Sequence, residues 1–94
     1  MIKRFRGKFA EQILEGRVVP KGFPANLAAV ARRKLIMVDA AAFLDALRSP
    51  PGNRLEALQG TRAGQYSIRV NDHYRLCFVW DGEHAHAVEI IEYH

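Results

Sequence analysis

The chain has 94 residues, 49% of them hydrophobic and 26% charged, which is the composition of one small globular domain and excludes disordered, collagenous and disulfide-framed classes. Its longest apolar runs, such as Ala40 to Leu44, fall far short of the roughly 18 residues of a membrane span. The formal net charge of +4 favours polyanionic partners, and the balance is uneven: nine basic and four acidic residues up to Leu47, then five and six.

The basic start Met1 to Arg6 is interrupted at Gly7-Lys8 and Glu11 before any apolar signal core, so a cytoplasmic, unprocessed chain is expected. The single cysteine, Cys77, agrees with a reducing compartment. Ile2 to Arg6 alternates like a short edge strand with gatekeeping charges. Lys8 to Glu15 spaces Phe9/Ile13 and Ala10/Leu14 four apart, an amphipathic helix closed by Gly16, and the turn Val19-Pro20-Lys21-Gly22 follows. Pro24 suits the first turn of a second helix. There Leu27, Val30, Ala31, Leu35 and Val38 recur at helical spacing, and Arg32-Arg33-Lys34 reads as a solvated face. Helix-compatible sequence continues through Asp39 to Leu47 until Ser49-Pro50-Pro51-Gly52-Asn53 stops it.

Beyond Gly52 the period changes to two, which predicts an α+β fold: an N-terminal strand and two or three helices packed on a mainly antiparallel sheet, residues 1–94 forming one domain. Tyr66, Ile68 and Val70 share one face and Ser67 and Arg69 the other; Leu76, Phe78 and Trp80 oppose Arg75, Cys77 and Val79. Matching the apolar faces predicts Val70 opposite Leu76 and Arg69 opposite Cys77, with Asn71 beside Arg75 and a turn of Asp72-His73-Tyr74. Asp81-Gly82 then turns the chain into a last strand, His84 to Tyr93.

Glu56, Arg62, Arg69, Arg75, Glu92, Tyr93 and His94 together supply what cleavage of RNA by its own 2′-OH requires. A carboxylate or imidazole acts as base, arginine forks grip the phosphate, and a histidine protonates the leaving 5′ oxygen. That scheme needs no metal and no cofactor. The blander reading leaves Arg69 and Arg75 in water or paired with Glu89 or Glu92. His84 and His86 have a spacing that suits a metal but lack a second ligand pair, and Cys77 lacks an evident base and belongs in the interior. Gly60 to Gly64 is a turn presenting Arg62 rather than a phosphate loop.

The run from Leu55 to Trp80, with Leu55-Glu56-Ala57-Leu58, Gly60-Thr61-Arg62-Ala63-Gly64 and Asn71-Asp72-His73-Tyr74-Arg75, and the closing Val88-Glu89-Ile90-Ile91-Glu92-Tyr93-His94, strongly resembles the HigB toxins of the RelE superfamily. Ile2 to Phe5 and the helical region fit too, so the resemblance covers essentially the whole chain. It implies a RelE-like fold and a ribosome-dependent mRNA endonuclease that arrests translation. It also implies neutralisation by a helix-turn-helix antitoxin, HigA, with which the toxin represses its own operon, so that operator DNA is met only through the antitoxin. Carried over by position, the catalytic residues are Glu56, Arg75, Glu92, Tyr93 and His94; Arg62, Arg69 and Asn71 are expected to contact RNA. The chain departs from the family pattern at Gln59, Thr61 and Glu92. The alternative from another class is a module that binds RNA or the ribosome without cutting and serves chiefly as the antitoxin's corepressor.

Overall fold

A computed structural model describes residues 1–93. Helices α1 (Phe9–Glu15) and α2 (Ala28–Ala40) precede an antiparallel sheet of β1 (Glu56–Ala57), β2 (Gln65–Arg69), β3 (Tyr74–Trp80) and β4 (Ala85–Glu92), ordered β1-β2-β3-β4. This is the α+β architecture expected. Among the described residues no helix is long and apolar enough to cross a membrane.

Helix α1 stops where glycine permits a left-handed residue: Gly16 has φ 74°, and its N–H returns to the Gln12 carbonyl. Pro24 precedes a short 3-10 turn, Ala25–Leu27, that feeds α2. Ala31, Lys34, Leu35 and Val38 form the buried stripe of α2, so Lys34 departs from its expected place on a solvated face. The reason is helical geometry, because position 34 falls inside the i, i+3, i+4, i+7 stripe that begins at Ala31. Helix α2 ends at Ala40, where Ala41 turns extended, and the stretch expected to continue as helix instead holds a 3-10 turn, Leu44–Arg48, that carries Leu47 into the core.

Ala10, Ile13, Ala31, Leu35, Val38, Leu47, Ile68, Leu76, Phe78, Val88 and Ile90 make the core between the helices and one face of the sheet. Phe23 extends it, its ring 5.5 Å from Phe9 and 5.2 Å from Tyr74. The expected N-terminal strand is present only as two parallel bridges, Ile2 to Ala85 and Phe5 to Val88. Between them β4 bulges at Ala87, whose φ of 50° breaks the continuity a regular ladder requires.

The hairpin register differs from expectation by two residues: Ile68 stands opposite Leu76, and Arg69 opposite Arg75. The cause is Asn71, whose Oδ1 accepts the N–H groups of His73 (2.9 Å) and Tyr74 (2.8 Å), moving the three-residue connection back by one residue to Asn71–His73. A slip of two leaves every side chain on its expected face.

Candidate functional site

The face of the sheet turned away from the helices carries two cross-strand rows. Glu56, Ser67, Cys77 and Glu89 are paired side by side, and Arg69, Arg75 and Ile91 form the next row. Ser67 and Cys77 are fully buried here although no helix covers them. Burial pushes the Cys77 thiol above its ordinary pKa, against the pull of the Arg62 guanidinium.

Arg62, presented by the 3-10 turn Gly60–Arg62, reaches back over this face. Its Nη1 donates to Gln65 Oε1 at 3.0 Å and its Nη2 to Glu89 Oε1 at 2.9 Å. Glu89 keeps only 10% of its side chain exposed, and its second oxygen lies 3.6 Å from Arg6 Nε. A carboxylate between two guanidinium groups is how a charge so enclosed stays compensated. Sequence reasoning names Glu89 as a possible partner of Arg69 or Arg75, and, if Val88 faces the core, alternation puts Glu89 with Ile91 and Tyr93 on the arginine face; Val88 is buried, so that condition holds.

Arg75 is the most enclosed of the arginines on this face, with 12% of its side chain exposed. Its Nη2 donates to the Arg54 carbonyl at 2.9 Å, its Nη1 lies 3.5 Å from Glu56 Oε2, and its guanidinium carbon stands 5.4 Å from the centre of the Tyr93 ring. Among the described residues its Nε has no hydrogen-bond partner, nor does Ser67 Oγ. Glu56 remains 53% exposed, so the carboxylate that meets Arg75 also meets solvent. Arg69, directly opposite Arg75, is held by Asp72, whose carboxyl is drawn below its usual range by that hydrogen bond and the Arg69 charge. The acids facing Arg69 and Arg75 are therefore Asp72 and Glu56, and not Glu89 or Glu92.

Glu56, Arg62, Arg69, Arg75 and Tyr93 are thus brought to one side of the sheet. Glu92 is not: it pairs with Tyr74, whose ring packs on Phe23 at the helix side, because alternation along β4 groups it with Val88 and Ile90. Asn71 lies at the rim of this face, but its carbonyl oxygen is engaged in holding the turn. His94, expected to complete the site, lies outside the described residues.

The two histidines with metal spacing go elsewhere. His86 Nε2 meets Asp81 Oδ2 at 2.6 Å and His84 Nε2 lies 3.7 Å from Glu83. The Asp81 carboxyl is held well below its usual range, first by the His84 backbone N–H and then by the His86 ring. Among the described residues no three histidine, cysteine or acidic side chains are grouped to hold a metal ion.

Comparison with known proteins places the chain in a family. A family model described as the RelE-like toxin of the type II toxin-antitoxin system HigB matches residues 3–94. Toxin HigB-1 of Vibrio cholerae is 42% identical over 80 residues, covering 85% of this chain and 84% of that toxin. An uncharacterized protein of Haemophilus influenzae is 47% identical over 58 residues, 62% of this chain and 57% of that protein.

Proposed function

The chain belongs to the HigB-like family of RelE-like toxins of type II toxin-antitoxin systems, and from that premise we propose that it is a ribosome-dependent endoribonuclease that cuts mRNA and halts translation. A toxin of this class has an antitoxin as partner; the proposal adds that this antitoxin is a HigA-like helix-turn-helix protein that brings the pair to operator DNA, and that the toxin acts in the cytoplasm on mRNA in the ribosome.

The observation that carries the reading is the Arg75 cluster. A guanidinium fixed at 2.9 Å by a backbone carbonyl, beside a half-exposed carboxylate and an aromatic ring, is preorganised for a phosphodiester and for the base next to it. Glu56 takes the proton of the 2′-OH. The freed oxygen attacks phosphorus, Arg75 stabilises charge on the five-coordinate centre, and the 5′ oxygen departs with a proton from His94, leaving a 2′,3′-cyclic phosphate and a 5′-hydroxyl. The backbone N–H of Tyr93 donates to the His73 carbonyl at 2.8 Å, which holds Tyr93 beside Arg75. Arg62 and Arg69 grip flanking phosphates, with Asn71 at the rim. Glu92 exchanges with Glu56 as base only if the terminal segment rotates when RNA binds, so Glu92→Gln should cost less than Glu56→Gln. The groups named form an acid, a base and cationic clamps, so the cleavage is expected without a metal.

Inducing the chain in a bacterial host and mapping mRNA 5′ ends tests this directly. Arg75→Ala should reduce cutting by about 10²-fold or more, since one preorganised donor to the transition state is lost. Arg75→Lys should fail to restore it, because a point charge does not replace a fork. Growth arrest without new mRNA ends would favour the binding module instead. Loss of cutting on chelation, with ribosomes kept intact by compensating magnesium, would remove the metal-free scheme.

A further inference from the structure

Both acceptors that meet the Arg75 guanidinium hang from one short segment, Arg54 to Glu56. The ladder that should hold this segment is only Glu56–Ala57, two residues paired with Ser67 and Tyr66. So short a strand does not define its own position to the fraction of an ångström that a catalytic fork needs. The anchoring comes from the preceding residue. Asn53 is fully buried, and its Nδ2 donates to the carbonyls of Leu47 (3.1 Å) and Ser49 (3.3 Å). Its Oδ1 accepts from the ammonium of Lys34, the charged residue inside the buried stripe of α2. Arg54 follows in a left-handed conformation, φ 47° and ψ 58°, its N–H closing on the Pro51 carbonyl at 3.1 Å. That turn aims the Arg54 carbonyl at Arg75.

We propose that Asn53, clamped by Lys34 from helix α2, is a positioning residue that sets the Arg54 carbonyl and the Glu56 carboxylate against the Arg75 guanidinium. A buried lysine with an amide as its acceptor is a poor stabilising device, since an apolar chain of the same length would avoid the desolvation of its charge. It is well suited to fixing geometry. Both ends of the amide are engaged, its two N–H groups by loop carbonyls and its oxygen by the helix lysine, so the loop has one register against the helix.

The proposal rests on the nuclease reading for its kinetic arm and is independent of it for its spectroscopic arm. Lys34→Met and Asn53→Ala are compared with the unsubstituted chain by ¹⁵N NMR of the Arg75 side chain and by single-turnover cleavage of mRNA on programmed ribosomes. The unsubstituted chain should show distinct Arg75 Nη resonances, reporting a guanidinium that does not rotate freely, and both variants should show them merged. The maximal rate should fall about 10- to 100-fold in the folded variants, with KM for ribosomes within about twofold. Should Asn53→Ala fail to fold, Lys34→Met, which removes a buried charge, carries the comparison alone. Unaltered Arg75 resonances overturn the inference, as does a lowered melting temperature with the rate unchanged. If the unsubstituted chain cuts no mRNA, the nuclease reading falls, while the Arg75 resonances still decide the positioning role.

Discussion

On the helix side of β2 and β3, Ile68, Leu76 and Phe78 lie fully buried in one cluster with Ile13, Leu35 and Val38. One position along the same strands, on the other side, Ser67 and Cys77 are just as fully buried, in rows flanked by Glu56, Glu89, Arg69 and Arg75. The first side gains roughly 1.5–3 kcal/mol for each large apolar side chain taken from water. The second gains little, because half-exposed ion pairs contribute about 0–1 kcal/mol each and enclosed ones must first offset their desolvation. A sheet can therefore be closed on both faces while only one of them accounts for its stability. The arginine face contributes little to fold energy, which is the pattern of residues kept for something other than stability.

Phe78→Ala should break the helix side most severely, lowering unfolding free energy by about 3–5 kcal/mol in urea titration, the range for truncating a buried aromatic. A loss under about 1 kcal/mol would mean that the two faces do not differ as described. Deleting Tyr93 and His94 should act only on the other face, reducing cleavage by about 10²-fold or more while stability changes by under about 1 kcal/mol. A truncated protein that still cuts ribosome-bound mRNA would show that the terminus is not part of the chemistry.

Glu89→Gln should have a smaller effect, destabilising by about 1–2 kcal/mol as the charge-assisted bond to Arg62 weakens. It should also speed alkylation of Cys77, its cross-strand neighbour, by loosening the cover over that row. Equal alkylation rates would show that the Arg62 and Glu89 pair does not shield the thiol.

The mildest effect separates the two sides by the sign of a pH dependence. Burial raises the Cys77 thiol above its ordinary 9.0, so the folded protein keeps a proton that the unfolded chain gives up, and stability falls as pH rises past about 9. Lys34 is lowered from 10.5, first by burial and then by Arg33 and Arg69, so the unfolded chain holds the extra proton and stability rises as pH climbs toward 10.5. In urea titrations between pH 8 and 11 the opposed slopes should partly cancel. Cys77→Ala should leave the rise and Lys34→Met the fall. The reverse assignment would overturn the reading of either burial.

Periodicity made most of this fold legible. Gly16 and the fourfold spacing of Phe9/Ile13 defined α1, and alternation assigned the faces of Tyr66 to Arg69 and of Arg75 to Trp80. What it left open was decided by side chains acting on backbone: Asn71 moved the hairpin register by two, and the Ala87 bulge reduced the N-terminal strand to bridges. Of the site, Arg62, Arg69, Arg75 and Tyr93 could be placed from parity and turn position. The partner of Arg75 could not, since the Arg54 carbonyl is a backbone group whose direction depends on a left-handed residue that no side chain announces. Lys34 was misplaced because a run of three basic residues suggests solvent, whereas helical phase selects its last member for the interior.

The N-terminal bridges bear on how the protein is made. Lys3 and Arg6 donate their backbone N–H groups to the Ala85 and Val88 carbonyls at 2.8 and 2.9 Å, so the opening residues pair with a strand translated near the end of the chain. Contacts this distant in sequence form late. During its own synthesis the opening segment waits unpaired until β4 has left the exit tunnel, and β4 also supplies the backbone leading to Tyr93. The sheet edge and the strand that ends at the arginine face are completed in one event. A domain assembled in this order has no finished arginine face until its last strand is paired.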